Sequence, residues 1–111
     1  MTKDSSMKKL IILSLATALL AAPAFGFKQA DLDKLKATNS CEKCDLTKAD
    51  LRDAYLANAD LSGADLSGAD LNGANLSSAV LREANLDFAD FTNAKLCNTV
   101  MPDGQRIFKD C

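Results

Sequence analysis

The sequence predicts an all-β solenoid of about three short coils with a helical cap at its N-terminal end. Three observations predict it. A five-residue unit recurs without interruption from Cys44 to Asn98. Its spacing fits neither a continuous helix nor a straight strand. Its apolar and polar positions sort into an inward and an outward set.

In frame from Cys44, the units are CDLTK, ADLRD, AYLAN, ADLSG, ADLSG, ADLNG, ANLSS, AVLRE, ANLDF, ADFTN and AKLCN, and Thr99-Val100-Met101 continues the register. The third position is Leu in every unit except one, which carries Phe91. The first position is Ala except at Cys44. At roughly 100° per residue, five helical steps overshoot a full turn by about 140°, so the leucines would spiral round a helix and share no face. On a straight strand, successive leucines would alternate between faces. Within one unit the strand rule does hold. The first and third positions point the same way, inward, and the Asp or Asn between them points out. The chain must therefore turn after each unit, and pairs such as Ser62-Gly63 and Ser67-Gly68 are suitable turn residues.

If four units close a coil, coils of 20 residues stack at roughly the 4.8 Å strand spacing. The core then consists of four ladders: Leu46, Leu66 and Leu86; Leu51, Leu71 and Phe91; Leu56, Leu76 and Leu96; and Leu61, Leu81 and Met101. Turning is forced by the period, but the number of sides and the handedness are not. The A-[DN]-L-x-x units resemble the pentapeptide-repeat family over residues 44–98, about half the chain. The resemblance implies a right-handed quadrilateral β-helix. Tyr55, Val80 and Lys95 depart from Asp or Asn at the second position, where outward side chains are tolerated.

The segments before the repeats divide in two. Residues 1–26 read as a secretory signal peptide. Lys3, Lys8 and Lys9 precede an apolar run from Leu10 to Ala22, and small residues follow. Cleavage after Ala24 or after Gly26 suits the pattern, and either Met1 or Met7 serves as the start. The run is shorter than the roughly 20 apolar residues that span a bilayer, so no stable membrane anchor is expected after cleavage. Residues 27–40 read as a capping segment in which residues 28–37 form an amphipathic helix, with Leu32 and Leu35, joined by Phe27, facing the first coil. Residues 41–101 form the repeat domain. Residues 102–111 form a C-terminal cap, with a turn at Pro102-Asp103-Gly104 and with Ile107 and Phe108 over the last coil.

The four cysteines lie at the two ends of the stack. In an oxidising compartment, pairing Cys41 with Cys44 and Cys97 with Cys111 avoids tying one end to the other. Closing the Cys97–Cys111 loop stabilises by about 3 kcal/mol on the chain-entropy account. Three functional alternatives compete for these residues. A thiol-disulfide redox protein would use Cys41 and Cys44, though no βαβ pattern surrounds them. A zinc site would need all four cysteines from opposite ends. Haem attachment would need His where Asp45 stands.

The columns Asp50, Asp70, Asp90 and Asp45, Asp65 have the oxygen chemistry of a Ca²⁺ site or of an acid/base pair, but outward polar positions also simply keep a coil soluble. The chain has no His, and no nucleophile–base set, phosphate loop or dinucleotide fingerprint stands out. No catalytic residue, metal or cofactor is therefore expected. After Gly26 ten basic residues face fourteen acidic ones, a net charge of −4, which opposes nucleic-acid binding.

The expectation is an exported, non-enzymatic structural or protein-interaction module with an unidentified protein partner. Its compartment is the periplasm or the extracellular space, or the thylakoid lumen in a photosynthetic source. The family also contains DNA mimics that bind a topoisomerase. The repeats here are acidic, with four basic residues against nine acidic ones, but export and the short rod oppose that alternative.

Overall fold

The computed structural model describes residues 26–111. Apart from Gly26, the predicted signal peptide lies outside the described residues. The 20-residue coil is set by parallel bridges. Nine isolated bridges run from Ser40↔Asp60 to Val80↔Val100, and each joins residues 20 apart, so four five-residue units complete a coil. The bridged residues are the second position of each unit. Three stacked coils result.

One unit illustrates the bonding. Asp65 N–H donates to Cys44 O in the coil above at 2.8 Å, and Leu66 N–H donates to Asn85 O in the coil below at 2.8 Å. Gly68 N–H donates to Asp87 O at 2.8 Å. Within the unit, Ala69 N–H closes a β-turn onto Leu66 O at 3.0 Å. The fifth position, third in that turn, has positive φ in every unit. From Lys43 through Gly63, Gly68 and Gly73 to Asn98, φ stays between 57° and 76°. An i to i+3 bond with positive φ at the third residue is the type II pattern. Glycine fits it freely, whereas Lys43, Glu83 and Phe88 hold it at a steric cost.

The inward positions form one core. Leu46, Leu61, Leu66, Leu71, Leu76 and Leu81 are fully buried, with Ala49, Ala64 and Ala79 between the ladders. Leu51, Leu56 and Leu96 are also buried. Three ladder positions differ from expectation: Leu86, Phe91 and Met101 are only half-buried. They belong to the lowest level of the stack, where no further coil covers them. Thr99 takes an alanine position and is wholly buried, its hydroxyl donating to Leu76 O at 2.7 Å.

The coil begins one unit earlier than the repeat pattern suggested. Ser40 makes the first bridge, and Cys41 is fully buried five residues before Leu46. Cys41 thus stands in a leucine position, and Cys44 in the following alanine position. Their disulfide spans the first β-turn, which Cys44 N–H closes onto Cys41 O at 3.3 Å.

Helix α1 covers Gln29–Thr38 and buries Leu32 and Leu35 against the first coil, with Phe27 packed beside them. Asp31 in its first turn and Lys36 in its last match the helix dipole, and Asn39 in the left-handed conformation ends it. Strand β1, Leu96–Val100, ends the third coil and pairs antiparallel with β2, Arg106–Lys109. Ile107 is half-buried, but Phe108 points to solvent at 68% exposure, so only Ile107 covers the coil as expected. The Cys97–Cys111 disulfide joins β1 to the residue that ends the sequence.

Leu71 stands at the centre of the middle coil. Leu71→Ala is expected to cost about 2–5 kcal/mol in urea unfolding. Leu71→Asp is expected to abolish the β circular dichroism signal, because the carboxylate would be buried without a partner.

Candidate functional site

The second-position Asp and Asn side chains are committed to the coil that carries them. At the second position, Asp or Asn Oδ1 accepts the backbone N–H two residues on. Asp45 holds Thr47 N–H at 3.1 Å, Asp65 holds Ser67 at 3.0 Å, Asp70 holds Asn72 at 3.0 Å, Asn75 holds Ser77 at 2.9 Å and Asp90 holds Thr92 at 2.9 Å. Position four adds a hydroxyl in several units. Ser62 donates to Asp60 Oδ1 at 2.7 Å, Ser67 to Asp65 at 2.6 Å and Thr92 to Asp90 at 2.6 Å. These are Asx turns, in which a side chain pins the corner that follows it. The spacing from Asp or Asn to Ser or Thr two residues on was the signal for them, and the outward-polar reading passed over it. The columns Asp50, Asp70, Asp90 and Asp45, Asp65 do stack through bridges, but their carboxylates point into these turns.

The hydrogen bonds shift the acids. Donation from the Ser62, Ser67 and Thr92 hydroxyls, helped by the amides of the same residues, lowers the pKa of Asp60, Asp65 and Asp90 below the ordinary 3.8. Asp50 is pulled to about 2 by Arg52, whose Nε and Nη2 grip its two carboxylate oxygens at 2.8 Å each. The pair is exposed and is worth little stability by itself.

The top of the stack is closed on two sides of four. Asp31 Oδ2 accepts Asp45 N–H at 2.7 Å and Lys28 N–H donates to Asp45 O, so the capping segment replaces a missing coil there. On a second side, the Asn39 side-chain amide donates to Ala57 O at 2.8 Å. Between these sides a groove of about 330 Å³ opens beside α1, lined by Leu35, Lys36, Leu51, Arg52, Ala54 and Tyr55. Tyr55 is 72% exposed at its rim. At the bottom, Phe88 occupies a positive-φ corner and is 95% exposed. It adjoins the half-buried Leu86 and Ala89.

The cysteines differ in access. Cys41 is 0% and Cys44 5% exposed in the core with Leu32 and Leu35, which opposes thiol exchange at this pair. Cys97 is half-buried and Cys111 exposed.

A family model, pentapeptide repeats, matches residues 40–73 and 59–98, together just over half of the chain. The chain belongs to the pentapeptide-repeat family. The match starts at residue 40, where the structure begins the first coil. Among solved structures, this pentapeptide-repeat protein is 40% identical to HetL, a pentapeptide-repeat protein involved in heterocyst differentiation regulation from the cyanobacterium Nostoc sp. strain PCC 7120. That alignment covers 61% of this chain and 34% of HetL, with a TM-score of 0.40. This chain therefore spans about a third of HetL. No curated protein matches.

Acid should destabilise the pentapeptide-repeat coil through the carboxylates whose pKa values are lowered. The folded pKa values of Asp50, Asp60, Asp65 and Asp90 lie below the unfolded 3.8, so their stabilisation is present above that value and is lost as pH falls through the folded values. The urea midpoint is expected to hold between about pH 7 and pH 5 and to fall between about pH 4 and pH 2. Asp65→Ala should cost about 1 kcal/mol at neutral pH, and Asp65→Asn, which keeps the acceptor, less.

Proposed function

We propose that this pentapeptide-repeat protein is an exported, non-catalytic protein-interaction module built on the right-handed four-sided coil that its family implies. The observation that carries the reading is the division of labour among its side chains. Ala and Leu fill the core, and Asp and Asn pin the corners. The large apolar side chains left in solvent are Tyr55, Phe88 and Phe108 among the described residues. Phe88 is the most telling of these, because a bulky residue at positive φ is strained and this one gains no burial in return. Aromatic side chains, Phe among them, are enriched at protein interfaces relative to the rest of the surface.

Export is supported by the order of positive, apolar and small residues in the first 26 residues and by two disulfides. No helix among the described residues is long and apolar enough to cross a membrane.

Two measurements test the proposal. Mass spectrometry of the protein from its native host should give a chain beginning at Phe25 or Phe27 in an exported fraction, and an intact leader in the cytosol would refute export. Cross-linking capture from that fraction should recover a partner with the wild type and lose it with Phe88→Asn. Asn accepts positive φ, so the variant should fold at least as well. Equal capture by both proteins would remove Phe88 from the interface.

A further inference from the structure

We infer that Cys97–Cys111 is a reducible latch holding β2 over the last coil, separate from the structural disulfide Cys41–Cys44. The two bonds sit in opposite surroundings. Cys41 and Cys44 are enclosed by the cap helix and the first coil. Cys111 is exposed, and Cys97 beside it is half-buried on β1. A thiolate needs a line of approach to a sulfur atom, and the exposed residue Cys111 is the side of the bond that faces solvent.

What the bond restrains is weakly held by other means. In β2 only Ile107 is half-buried, and Arg106, Phe108 and Lys109 are exposed. Its pairing with β1 is broken by a register shift between Cys97 and Thr99. One side-chain bond, Arg106 Nη1 to Asn98 Oδ1 at 3.0 Å, supplements it. The turn between the strands is fixed by Met101 N–H to Gln105 O and Gly104 N–H to Met101 O, each 2.8 Å, so motion would be confined to β2 beyond Gln105. A two-stranded ribbon with so little apolar cover is marginal without a staple.

The chemistry is thiol–disulfide exchange with a dithiol reductant. A thiolate of the dithiol attacks Cys111 Sγ, the S–S bond breaks, and Cys97 leaves as a thiolate that takes up a proton. The second thiol of the reductant then attacks its own sulfur in the mixed disulfide and releases the Cys111 thiolate, which is protonated in turn. The protein disulfide gains two electrons and two protons, and the dithiol is oxidised to its disulfide. Release of β2 then frees the backbone edge of β1, buried at Leu96 and Val100, to join the apolar level of Leu86 and Phe91. The face open to a partner is thereby enlarged under reducing conditions and closed under oxidising ones.

The test treats the folded protein with graded dithiothreitol, alkylates free thiols and maps them by mass spectrometry, with hydrogen exchange followed in parallel. Cys97 and Cys111 should be labelled at least about tenfold faster than Cys41 and Cys44. Amides of residues 106–109 should then exchange at least about tenfold faster, while those of residues 61–80 stay protected. Cys111→Ser, without reductant, should show the same exchange pattern. Reduction of both disulfides together, or of Cys41–Cys44 first, would overturn the inference. So would unchanged exchange in β2 after Cys97 and Cys111 are free.

Discussion

The corner at each fifth residue governs this molecule. Twelve successive corners from Lys43 to Asn98 adopt positive φ, and each turns the chain so that the next leucine again points inward. Without that turn, Leu66 and Leu71 would lie on opposite faces of a strand. With it, both enter one core and bury the apolar area worth about 1.5–3 kcal/mol for each leucine side chain. The corners cost conformational energy wherever the residue is not glycine, and that cost is offset locally. Carboxylates such as Asp65 grip the amide that starts the turn, and the amide at the corner bonds to the coil below, as Lys48 N–H does to Ser67 O at 2.9 Å. Core, turn and coil-to-coil bonding therefore depend on one another, and a single unit has no means of standing alone.

A stack of this kind is regular inside and incomplete at its ends, and most of its individuality lies there. At the top, an aspartate from a helix takes the place of a coil's carbonyl, and a disulfide takes the place of a leucine–alanine contact. At the bottom, closure is partial. β2 covers one side, Pro102 O receives Glu83 N–H at 3.0 Å on another, and Leu86 and Phe91 remain half in solvent. The exposed aromatic residues Tyr55 and Phe88 occur beside these incomplete levels, not on the middle coil. The polar sides, whose carboxylates are occupied by their own turns, offer a partner less. On the proposed reading of this protein as an interaction module, recognition falls to its ends.

The ladders were legible because leucine at every fifth residue admits so few geometries. The 20-residue coil followed once four units were assumed to close, and the bridge from Asp65 to Asn85 has that register. The first unit was less legible, because Cys41 in place of leucine breaks the written pattern although it is buried as leucine would be. The half-buried state of Phe91 and Met101 depends on what lies beneath them, which no local pattern encodes. Corner geometry was visible where Gly63, Gly68 and Gly73 announce it, but not at Glu83 or Phe88, whose types disfavour it and whose conformation is imposed by neighbouring units. The Asx turns were present in the spacing of Asp60 and Ser62. They were hidden because an outward aspartate has an easy explanation in solubility.

The claim that a 20-residue coil is the unit of this fold is tested most directly by insertion. A second copy of residues 61–80 placed after residue 80 adds one complete coil, whereas a copy lacking a single residue shifts every later leucine out of its ladder. Thermal unfolding followed by circular dichroism should show a cooperative transition at a higher Tm for the 20-residue insertion, because each added coil buries more core. The 19-residue insertion should lose cooperativity. Equal Tm and cooperativity for the two variants would contradict the account.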